Sequence, residues 1–152
     1  MSTERLDPMQ FGDVSDWARS FEPPMRLLDV IGVKIGLSGT LAVAAILWPK
    51  FVEVRGCVLL SCRYDATEFE GWWSQLDGDH TAIEDMVNHL HLWDVFPAVD
   101  DPLAERGLVE LGELMAESWR YALRSAYPGR DFLVSFDMEE EEYGPTVSFR
   151  SF

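Results

Sequence analysis

Phe51–Cys62 reads FVEVRGCVLLSC, and the fold turns on how this stretch is taken. Val52, Val54, Val58, Leu60 and Cys62 recur at every second position, with Gly56 in phase. Glu53, Arg55, Ser61 and Arg63 fall on the other side. β-Branched residues in clean alternation predict a half-buried strand over about 51–62. Cys57 and Cys62 are five apart, so on one strand they point to opposite faces and cannot bridge each other. Buried, inert free thiols are expected, which suits a reducing compartment.

Upstream, Ile35–Trp48 is free of charge. Ser38 or Thr40 is placed to cap a helix over about 41–48, and Pro49 stops it. That helix is apolar on every side, which predicts burial. The stretch is short for a membrane span and is interrupted by Gly36, Ser38, Gly39 and Thr40. Residues 1–22 are weakly patterned, and Pro23–Pro24 punctuates the chain. The first residues lack the basic start and apolar run of a signal peptide, so a cytoplasmic protein is expected.

Downstream, Asp65 and Glu68 have capping-box spacing ahead of a helix over about 66–76. Its face is Ala66, Phe69, Trp73 and Leu76, with Trp72 on the margin. Thr81 and Glu84 repeat the box before a helix over about 82–95, in which Ile83, Met86, Val87, Leu90 and Trp93 share a side. Asp100–Asp101–Pro102 is a start signal for a long helix over about 102–126. Ala104, Leu108, Leu111, Met115, Trp119, Ala122 and Ala126 form its stripe. A hairpin of 131–138 and 145–151 ends the chain, with the acidic run Glu139–Glu142 at its tip discouraging edge pairing. The expectation is one α+β domain over residues 1–152: an antiparallel sheet of the central strand and the terminal hairpin, covered by these helices.

The net charge is −15, and it is concentrated. Residues 1–64 carry seven acids and seven bases; residues 65–117 carry fourteen acids and one base, Arg106. A field of that kind repels nucleic acid and anionic membrane surfaces and attracts basic partners.

Sites of chemistry are sparse. Asp85 and His89 share a helical face four residues apart, with His80 nearby, but His89 and His91 would diverge by about 200° on a helix. No HExxH and no paired cysteine motif accompanies them, so no metal is expected. No nucleophile elbow and no phosphate loop is present, so neither catalytic residues nor a cofactor is expected. The charge pattern instead predicts a protein-binding module. It would block a basic partner, in the manner of an immunity protein against a nuclease toxin, through Glu68, Glu70, Trp72, Asp77, Asp79, Glu84, Asp85, Glu110, Glu113 and Glu117. Trp72 or Trp93 would serve as an anchor. Neither nucleic acid nor membrane is expected as a partner. A second reading is an accessory subunit of a complex, and a third is a small metal-dependent enzyme using His80, Asp85 or His89.

Overall fold

The computed structural model describes residues 4–97, 100–138 and 144–152; the run Glu139–Glu142 lies outside them. Phe51–Cys62 does not run as one strand. It folds back as β1 (Phe51–Val54) and β2 (Cys57–Leu60). The two-residue turn between them, Arg55–Gly56, has φ of 50° and 85°. Tight hairpin turns need positive φ at both central positions, and glycine takes it most readily.

The turn resets the phase of the alternation. Val54 stands opposite Cys57 and Val52 opposite Leu59, so these four share a face. Phe51, Glu53, Val58 and Leu60 share the other. Both faces of the hairpin are therefore covered. Val58 and Leu60 join a core with Met115, Trp119 and Phe149. Cys57 and Leu59 join a second with Phe69, Ile83 and Val87.

The terminal hairpin forms as predicted, from β4 (Phe132–Asp137) and β5 (Thr146–Ser151). A short strand, β3 (His89–His91), pairs with β5 from the other side, giving the order β3-β5-β4. The architecture is α+β, but the central hairpin and the terminal hairpin belong to two small antiparallel sheets rather than one.

Short helical elements open the chain: α1 (Gly12–Arg19) and α2 (Leu27–Asp29). A π-helical stretch, Val30–Ile35, then leads into α3 (Gly36–Leu47). α4 (Ala66–Gln75) starts where expected, because the Asp65 carboxylate accepts from the Thr67 and Glu68 N–H groups. α5 (His80–Val87) is capped by Asp79, which accepts from Ala82 N–H at 3.1 Å; the Thr81 box does not form. The helix expected to reach residue 95 ends at Asn88, passes into β3, and resumes only as the turn α6 (Leu92–Val95). α7 (Ala104–Ala126) buries Met115, Trp119 and Ala122 from its predicted stripe. At Gly112 the Phe136 ring takes the space of a side chain, and a Cβ there would lie 2.1 Å from it.

One expectation is reversed. α3 is apolar all round, yet none of its residues is buried. Ile46 and Leu47 touch the core, while Leu37, Leu41 and Val43 face outward. An all-apolar helix needs neighbours on every side, and among the described residues α3 meets the core through Ile46 and Leu47. Leu27–Leu47 has a mean hydropathy of 2.0 and is long and apolar enough to cross a membrane by length and composition. Met86, Trp93 and Trp48 are likewise exposed where core faces were expected.

Candidate functional site

Glu84, expected on a docking surface, is instead wholly buried. It sits on α5 between the central hairpin and β5. One carboxylate oxygen accepts from Val58 N–H at 2.8 Å. The other accepts from Ser151 N–H at 2.5 Å and from the Ser151 hydroxyl at 2.7 Å. The Arg130 guanidinium approaches to 3.9 Å. One helical turn on, Asn88 continues the seam: its side chain accepts from Leu60 N–H at 2.8 Å and donates to Val58 O at 2.7 Å. Its own carbonyl accepts from Phe149 N–H. α5 thus satisfies the free edge of β2 and the end of β5 together, as buried backbone groups require. This is a joint, and Glu84 offers a partner nothing.

The remaining expected residues are divided. On the α4–α5 side, Glu68, Asp77 and Asp79 are exposed, and Asp79 is spent on its cap. Glu70 pairs with Arg55 at 2.9 Å and Asp85 with Arg150 at 2.7 Å. Trp72 is half-buried against the second core. Glu110, Glu113 and Glu117 lie apart from these, on α7, which packs against the first core.

It is on α7 that a concave surface forms. Residues 4–12 are laid along its first half and the turn before it by two main-chain donors and the Arg106 guanidinium. Leu6 N–H bonds both Glu110 carboxylate oxygens, at 3.0 and 2.8 Å. Gly12 N–H bonds Asp101 at 2.8 Å, and Arg106 donates to Glu4 O at 2.8 Å. The N–H groups of Gly12 and Leu103 hold the Asp101 carboxyl below its ordinary pKa. The Phe11 ring lies over Gly107. Between this segment and α7 is a groove of about 830 Å³. Leu6, Phe11, Phe96, Leu111 and Leu114 contribute its apolar lining; Glu4, Glu110, Glu113 and Glu117 line it as well, against Arg5 and Arg106. The apolar half of this lining was not foreseen. The one local signal was Asp7–Pro8, a cap followed by proline at the first position of the turn Pro8–Gln10.

The histidines are arranged otherwise than expected. His89 and His91 lie on β3 and so point the same way, with ring centroids 4.8 Å apart. His89 Nδ1 contacts Asp85 O and His91 Nδ1 contacts Thr146 Oγ1, at 3.1 and 2.7 Å. Burial, then the neighbouring His89, lowers the His91 pKa. His80 packs on Trp73. Among the described residues no three His, Cys, Asp or Glu side chains are placed to hold a metal ion. Cys57 is buried, and desolvation followed by the Glu84 charge pushes its thiol up to about 11. Cys62, expected buried, is exposed.

The chain matches no protein-family model, no curated protein and no solved structure.

Proposed function

We propose that this protein is a non-catalytic binding module that takes a basic, amphipathic segment of a protein partner into the groove between residues 4–11 and α7. The observation that carries this reading is one apolar groove whose lining includes four acidic residues, Glu4, Glu110, Glu113 and Glu117, against two basic ones, Arg5 and Arg106, with Glu110 also holding Leu6 N–H. An apolar floor with an acidic border matches a helix with leucine-type residues on one face and lysine or arginine on the other. The wider charge of −15 would speed encounter with such a partner, and the groove would then bury its apolar face. A cytoplasmic inhibitor of the immunity type, blocking a basic nuclease toxin, is the form of this activity that the charge favours.

The test is a titration of isotope-labelled protein with a synthetic helical peptide of alternating Leu and Lys faces, followed by amide chemical shifts. Shifts should concentrate at residues 4–11 and 104–117, and affinity should fall about tenfold or more from low to physiological salt. Glu113→Gln with Glu117→Gln should weaken binding several-fold. Shifts spread over the α4–α5 side, or binding indifferent to salt, would remove the proposal.

A further inference from the structure

We infer that Leu27–Leu47 lies in one leaflet of a lipid bilayer, along the membrane plane, and holds the protein on an electrically neutral membrane surface. The segment has 21 residues and a mean hydropathy of 2.0, and almost none of it is buried. Leu28 is 80% exposed, Leu37 76% and Leu41 60%. The exposure also goes all the way round. Residues 41–45, Leu-Ala-Val-Ala-Ala, are exposed without a gap, and at about 100° per residue they cover the whole circumference of α3. A protein surface covers one side of a helix, whereas a bilayer surrounds it. A helix with no polar side, bare in every direction, has the surface of an element solvated by lipid.

The segment carries little that lipid would reject. Its α- and π-helical hydrogen bonds satisfy the main chain internally, the condition for entering hydrocarbon. The Thr40 hydroxyl donates to Gly36 O at 2.8 Å. From Val30 to Trp48 the single charged residue is Lys34, whose ammonium sits over the Trp17 ring at 5.5 Å. A long basic side chain reaches headgroup level while its stem stays in the apolar layer. Trp17 and the exposed Trp48 are of the type that gathers at membrane interfaces. The acids that oppose a membrane lie elsewhere, concentrated in residues 65–117. Residues 23–50 carry three bases, Arg26, Lys34 and Lys50, and one acid, Asp29.

The two ends fix the orientation. Before the segment, Met25 N–H bonds Ala18 O at 3.0 Å, and the Leu6 and Gly12 N–H groups are held by Glu110 and Asp101. After it, Ser118 and Trp119 donate to the carbonyls of Leu47 and Ile46. Both flanks therefore belong to one body built around α7. A span would carry them to opposite surfaces, whereas an in-plane helix keeps both in water on one side.

This contact is independent of the groove, and its test reads lipid rather than peptide. The full chain should float with phosphatidylcholine vesicles in a density gradient. Leu37→Glu with Leu41→Glu should cut the floating fraction about tenfold or more, with unchanged helical circular dichroism, since both side chains are exposed. In a Cys62→Ser background, Leu41→Cys and Val43→Cys, each labelled with an environment-sensitive dye, report from sides of α3 about 200° apart. Both labels should shift to the blue when vesicles are added. Tags at the two ends of the chain should both stay open to protease added outside the vesicles. Failure to float, flotation untouched by the Glu substitutions, a blue shift confined to one label, or protection of either tag would overturn the inference. So would a lipid-free dimer in sedimentation equilibrium with the labels already shielded, which would give the segment to a second copy.

Discussion

Replacing Glu84 tests whether α5 is the joint between the two sheets. In Glu84→Ala, three buried donors lose their acceptor: Val58 N–H, Ser151 N–H and the Ser151 hydroxyl. Each unpaired buried donor costs about 1–3 kcal/mol, partly relieved if water enters the space left behind. A net loss of about 4 kcal/mol follows, within the range for breaking a buried charged contact. For a domain of this size that is a fall in Tm of roughly 8–16 °C. Glu84→Gln keeps the shape but turns an amide NH₂ toward a main-chain N–H on one side or the other. It should cost about 2 kcal/mol, because one donor then faces another. Asp85→Asn is the control: its bridge to Arg150 is exposed, and its loss should cost less than about 1 kcal/mol. Urea unfolding followed by tryptophan fluorescence, with Trp119 as the buried reporter, measures all three. If Glu84→Ala unfolds within about 1 kcal/mol of the wild type, the seam is not a joint and its hydrogen bonds are incidental.

Other outcomes are accessible to simple measurements. Gly112→Ala pushes a methyl group into the Phe136 ring and should lower stability by about 1–3 kcal/mol in the same urea assay. An Ellman titration of native protein near pH 8 should count one fast thiol, Cys62, and two after unfolding, because Cys57 is buried with its thiol pushed up to about 11. Asp101 has a depressed folded pKa, so its support for residues 4–12 is present above the ordinary value of 3.8 and is lost as pH falls through the lower folded value. The protection factor of the Gly12 amide, the intrinsic exchange rate divided by the observed rate at the same pH, should therefore hold at neutral pH and fall on acidification; in Asp101→Asn it should be low at every pH.

The elements that announced themselves were those with local reasons to form. α4 begins at an aspartate that caps it, and α7 carries a stripe that Met115 and Trp119 bury. The terminal hairpin alternates because β5 buries every second residue. The central hairpin hid its turn. Val52, Val54, Val58 and Leu60 keep the same period on both sides of Arg55–Gly56, and Arg55 fits that alternation as a polar-face residue, so only the glycine marks the reversal. The stop at Asn88 was illegible for another reason. Helical spacing persists through Leu90 and Trp93, and the break answers a demand from β2, whose Val58 and Leu60 main-chain groups need the Asn88 side chain. Residues 4–12 are held largely through backbone N–H groups, which leave no periodic trace, so half of the groove could not be seen in advance. The apolarity of α3 was plain, but whether a residue is covered depends on what stands opposite it, and no spacing within one segment encodes that.

The placement of β5 bears on how the molecule is made. It is the latest strand in the chain, yet it lies between β3 and β4 and receives Glu84 at its end. A nascent polypeptide emerging from the ribosome could close the early hairpin and wind α7, but Glu84 would stand there with two of its three hydrogen-bond donors still unsynthesised. Chaperones that shield exposed apolar surface would therefore find their substrate in the interval before residues 146–151 appear, and stalled translation at that point should leave a chain open to proteolysis.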